Sequence, residues 1–186
     1  MSHRFFASAL LALSLAIPAF AQQGHMGGMS HGHGADGTGH DQVNMPGLFG
    51  ENATPEESAE IAVMFRNFQT LSRDVENLSN GILTVTRSSD PEVMDKLVSH
   101  VIGMTGRVEA KDDPRINIQS PTLDIFFDRA EGIDTEIDVT NEGIVVVQTS
   151  DYPELVTALQ THAAEVSDMA ERGMMAVHER MMGQPH

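Results

Sequence analysis

Apolar and polar residues change period along this chain, and they do so twice in the same order. In Ile133-Asp-Thr-Glu-Ile-Asp-Val139 they alternate with period two, as in a half-buried strand; Asn141-Glu142-Gly143 then supplies turn residues, and Ile144 to Val147 is an apolar, β-branched run. The earlier stretch reads the same way, with a strand over Leu71–Leu78, a turn at Asn80-Gly81 and a second strand over Ile82–Thr86. Each hairpin is followed by a helical pattern. Asp90-Pro91 opens one and Asp151-Tyr152-Pro153 the other, with an acid near the cap and proline near the first helical position. A helix also precedes each hairpin: Thr54-Pro55-Glu56-Glu57 is a capping box, and Ser120-Pro121 opens a shorter equivalent.

The two stretches align without a gap at a constant offset of 62 residues. Gly81-Ile82 matches Gly143-Ile144, Pro91-Glu92 matches Pro153-Glu154, Leu97 matches Leu159 and His100 matches His162. Leu83/Val145, Val85/Val147, Ser88/Ser150 and Val93/Leu155 fill the interval, and Phe65/Phe127, Leu71/Ile133 and Val75/Ile137 extend it backward. We read this as a duplication. The expected fold is α+β, with two pseudo-symmetric α-β-β-α repeats whose hairpins form one four-stranded antiparallel sheet packed against helices. A lone hairpin is marginally stable, so the copies should pack about a pseudo-twofold axis. Repeat 1 spans residues 52–110, a linker covers 111–119, and repeat 2 covers 120–186 with a long last helix from Pro153 toward Met182.

The beginning of the chain has no such pattern. His3-Arg4, an apolar run of thirteen residues from Phe5 to Ile17, and Ala19-Phe20-Ala21 read as an export signal over residues 1–21. The run is shorter than the roughly 20 residues a membrane-spanning helix needs. The expectation is therefore a periplasmic or secreted protein with no transmembrane segment after cleavage. Removal of the signal leaves ten Lys and Arg against 27 Asp and Glu, a net of −17. Such a surface repels nucleic acid and attracts cations. With no cysteine, thiolate chemistry and disulfides are excluded, and a soft-metal ligand must be Met or His.

Residues 22–51 form a segment expected to be flexible, rich in His, Met and Gly. His25, Met26, Met29, His31, His33, His40 and Met45 place seven imidazoles and thioethers in about two dozen residues. Thioether and imidazole suit copper, with methionine favouring Cu(I). The plainer reading is a polar tether. The match of Gly32, Gly34 and Gly37 to a dinucleotide fingerprint is noise, since no strand precedes it and no helix follows.

Two further groups stand out. His100 falls at the edge of the apolar face of its helix with Met104 one turn on, and His162 occupies the same edge of its own helix with Met169 two turns on. Related by a pseudo-twofold axis, they would share an ion; otherwise each covers the rim of a core. Near the C-terminus Met174, His178 and Met182 follow one another at i, i+4 and i+8, either as a soft-metal stripe or as methionine filling an irregular contact.

The pattern Thr86-Arg87-Ser88-Ser89-Asp90-Pro91…His100, echoed by Thr149-Ser150-Asp151…His162, resembles a group of exported bacterial proteins carrying a duplicated T-S-D-x-P…H module. The resemblance runs from about Ala62 to Met182 and implies a shared fold and an extracytoplasmic home, with no activity attached. His100 and His162 match the module's histidine, whereas Tyr152, between Asp151 and Pro153, departs from the first copy's Asp90-Pro91, so the second helix need not carry the same cap.

The sequence thus points to a metal-binding protein, with copper as Cu(I), acting in storage, buffering or delivery. Its partners would be the ion and a periplasmic or membrane-bound metal-handling protein. No reaction is implied. Haem held between His100 and His162, and a metal-free interaction domain, are the alternatives.

Overall fold

The computed structural model describes residues 45–183. They form an α+β fold around one four-stranded antiparallel sheet. Helix α1 (Pro55–Arg66) leads into hairpin β1 (Leu71–Leu78) and β2 (Gly81–Ser88), then α2 (Pro91–Glu109). A short α3 (Asp124–Asp128) precedes β3 (Asp134–Thr140) and β4 (Gly143–Thr149), followed by α4 (Pro153–Arg172) and α5 (Met174–Gly183). The strand order is β1-β2-β4-β3, so the two hairpins meet through their second strands.

The duplication is visible in the register. In the first hairpin Val75 pairs with Thr84, and 62 residues on Ile137 pairs with Val146; Leu78–Gly81 likewise maps onto Thr140–Gly143. Where the copies meet, Thr84 pairs with Val146, its own counterpart, so the pseudo-twofold axis passes between them. The match extends to local turns. The 3₁₀ turn Phe68–Thr70 reappears as Ala130–Gly132. Ser88 Oγ accepts from the amide of Asp90, as Ser150 Oγ does from that of Tyr152, at 3.1 Å in both copies.

Helix starts follow their sequence signals. Thr54 and Glu57 form the capping box, and Asp90 caps α2 by accepting from the amides of Glu92 and Val93. Tyr152 supplies no side-chain cap to α4, unlike Asp90 at the start of α2. Equivalent α-helices differ in length, α3 keeping only the last turns of what α1 has in full.

The repeats interlock. Helix α4 of the second repeat lies across β1 and β2 of the first, and α2 reaches β3 of the second. The main core therefore joins Ile82 to Leu155, Leu159, Ala163 and Phe126. Ile82, Thr84, Thr86 and Ile144 are buried on the helix-covered side of the sheet, while Leu83, Val85, Val145 and Val147 are half-buried along the middle of the other.

Three boundaries differ from the sequence reading. Met45 and Leu48 are buried against Ala62, Ile61, Phe65 and Ile118, so the folded body includes the end of the segment expected to be flexible. Met45 is a core residue, 6% exposed, and not a ligand on a loose leader, because packing of its apolar body decides its place. The 111–119 linker is structured too: Ile116 forms a β-bridge with Gly50, and Pro114 is fully buried. Finally, the last helix is broken. Gly173 takes φ 61°, a left-handed value, and Phe68 occupies the space where a Cβ would sit. Helices α4 and α5 replace the single long helix expected. Among the described residues no helix is long and apolar enough to cross a membrane.

Candidate functional site

Between the helix layer and the sheet lies a cavity of about 330 Å³. His100, Met104, His162 and Met169 all line it. The histidines reach it by the same construction. His100 follows buried Leu97 by three residues and buried Val93 by seven; His162 follows Leu159 and Leu155 at the same spacings. The pseudo-twofold packing then turns both stripes toward one space.

Every side-chain polar atom that is buried without a hydrogen-bond partner among the described residues belongs to a residue lining this cavity: Arg73 Nε, His100 Nδ1, His162 Nδ1 and Glu165 Oε2. Buried polar atoms are normally satisfied, and four exceptions around one space mark it as a site.

The electrostatics of each group follow from its neighbours. Burial pushes the His100 imidazole below its ordinary pKa; the charges of Glu60 and Glu57 oppose this, and that of His162 adds to it. His100 is thus neutral at pH 7, the form that ligates metal. The ring of Phe126 meets His162 edge-on, with centroids 5.7 Å apart. Glu165 stands 3.8 Å from His162 Nδ1, too far for a hydrogen bond and close enough for attraction. The His162 imidazole holds the Glu165 carboxyl below its usual range against the effect of burial, helped by Ser120, which donates to Oε1 at 2.8 Å, and by the charge of Arg180.

On the sheet side Arg73 Nη1 donates to Thr86 Oγ1 at 2.5 Å. Burial lowers the pKa of Arg73 to about 10.

The remaining candidates lie elsewhere. His25, Met26, Met29, His31, His33 and His40 fall outside the described residues. His178 and Met182 do not line the cavity: His178 is half-buried on α5 with interactions of its own, and Met182 is 73% exposed. The break at Gly173 separates their stripe from α4 and its Met169. Among the described residues no three His, Asp or Glu side chains are grouped to hold a metal, so the donors the cavity offers are imidazole and thioether, with the carboxylates of Glu109 and Glu165 also in its lining.

Arg73 and Glu165 were not singled out from the sequence. Arg73 had a signal: it shares the phase of Leu71 and Val75 in β1, an inward position where an apolar residue is expected. Glu165 had none among so many acids. No family model, no curated protein and no solved structure matches this chain.

Proposed function

We propose that the protein binds a soft metal ion, copper as Cu(I), in the cavity between the two repeats, in a storage, buffering or delivery role. The observation that carries this reading is that His100 and His162 line one cavity, each with its Nδ1 buried and without a hydrogen bond among the described residues, together with Met104 and Met169. Two imidazoles and two thioethers are a donor set that favours Cu(I) over harder cations, and Cu(I) does not require a cluster of carboxylates. In this reading the leader, through His25, Met26, Met29, His31, His33 and His40, captures ions for the cavity from outside the described domain.

Haem between the same histidines is the competing ligand. A volume of about 330 Å³ lies at the lower end of small-molecule sites, which favours an ion or a compact ligand over a macrocycle.

The test is Cu(I) titration against a competing chelator, on the chain from Asn44 and on its His100→Ala, His162→Ala and double variants. Each single change should cost most of the affinity and the double should add little, since the two act as one unit. Equal affinity in all four proteins would remove the cavity from metal binding. A Soret band on haem addition, with no copper uptake, would favour the competing ligand.

A further inference from the structure

Arg73 carries a charge that the described residues do not neutralise. Its guanidinium is largely buried under the helix layer, and among the described residues its only hydrogen bond is to the hydroxyl of Thr86 and its Nε has no hydrogen-bond partner. No carboxylate lies within ion-pairing distance of it among the described residues, whereas Arg87, Arg107, Arg115, Arg129 and Arg172 each have an acid beside them. Leaving a buried charge unpaired is costly, and replacing it by an apolar side chain is commonly neutral or stabilising. Glu165 lines the same cavity, yet no acid among the described residues is placed to pair with Arg73.

The rest of the cavity tells what would satisfy that charge. Leu97, Val101 and Phe126 give the helix side an apolar wall, and Ile82 continues it on the sheet. A planar guanidinium in the wall of a largely apolar space matches a carboxylate on an apolar chain, which it can meet with two parallel hydrogen bonds. We propose that the cavity seats a small organic monocarboxylate, with its carboxylate on Arg73 and its apolar chain along the helix layer. Arg73 is a binding residue in this assignment, not a metal ligand, and the assignment goes beyond the copper reading without depending on it.

The proposal predicts an exchange of stability against binding. Octanoate, 1-octanol and sulfate serve as probes, titrated by calorimetry and thermal shift into the purified metal-free protein and into Arg73→Met. Octanoate should bind wild type saturably at one site and raise its melting temperature, with octanol at least tenfold weaker and sulfate giving no shift. Arg73→Met should melt higher than wild type without ligand and bind octanoate at least tenfold more weakly, while octanol binding is unchanged. Octanoate binding to both proteins alike, octanol binding as tightly as octanoate, or no octanoate binding at all would overturn the assignment. So would an Arg73→Met protein that is less stable or unfolded, since the guanidinium would then be structural. A sulfate shift equal to that of octanoate would make the site one for inorganic anions and overturn the carboxylate. Loss of copper binding in the histidine variants with octanoate binding retained would separate the two readings.

Discussion

A Cβ on Gly81 would stand 1.9 Å from the carbonyl oxygen of Gln148 in the neighbouring strand. The counterpart contact is Gly143 against the carbonyl of Thr86, at 2.4 Å, and Gln148 lies 62 residues after Thr86 just as Gly143 does after Gly81. The glycines shared by the two copies are therefore where the hairpins come closest across the axis. Gly81→Ala and Gly143→Ala should each cost about 3 kcal/mol in urea unfolding, Gly143 also because of its φ of 130°. Near-neutral effects would mean that β2 and β4 are not held at this separation.

Arg107 ties three parts of the first repeat together. Its Nε and Nη2 meet the two carboxylate oxygens of Glu57 at 2.5 and 2.9 Å, with side chains only 13% and 17% exposed, while Nη1 reaches Asp112 at 2.8 Å. Burial alone would raise the pKa of Glu57; the bonds from Arg107 and from the amide of Thr54 outweigh it and lower it. Arg107→Ala should lose about 3 kcal/mol, because it leaves a half-buried carboxylate unpaired. The pair's contribution is present above the ordinary carboxylate range and disappears as pH falls through the lowered Glu57 value. A variant as stable as wild type at pH 7 would show the pair to be solvated.

His100 makes a distinct contribution at milder pH. Its folded pKa lies below that of the unfolded chain because of burial. The unfolded state therefore takes up the proton first as pH falls through about 6.5. Stability from this group is complete above that pH and declines below it, toward the folded value. Urea unfolding at pH 7.5 and 5.5 should show a smaller loss for His100→Gln than for wild type. Parallel losses would show that the imidazole titrates alike in both states.

Met45, the first of the described residues, is already part of the core. A chain starting at Asn44 should unfold cooperatively at wild-type stability, and one starting at Asn52 should be weaker for want of Met45 and Leu48, the latter 1% exposed. Leu48→Ala alone should cost about 3 kcal/mol. Equal melting of the two truncated chains would show that this segment does not support the core.

Hairpins, helix starts and the duplication were legible because they rest on local signals: alternation, prolines after caps, and a constant offset. The meeting of His100 with His162 was legible only as a consequence of symmetry, since two helix edges can face each other or not, and the register about Thr84 and Val146 decides it. Met45 was misread because a methionine looks alike to a metal and to a core, and only burial distinguishes them. The break at Gly173 was hidden because an isolated glycine inside an amphipathic pattern is tolerated; the ring of Phe68, more than 100 residues earlier in the chain, occupies the space a side chain would need. Glu165 escaped because nothing short of the fold separates one acid from 27.

The repeats differ where it matters for a bound molecule. Position 73 is arginine but its counterpart 135 is threonine, and Glu165 answers to Gly103, while the histidines are the same in both copies. Two separate identical subunits would have to present each of these side chains twice, mirrored about the axis. Joining the copies in one chain lifts that obligation. Arg73 therefore has no copy of itself across the axis, so the two halves of the cavity wall differ and an asymmetric molecule entering it has a single preferred way round.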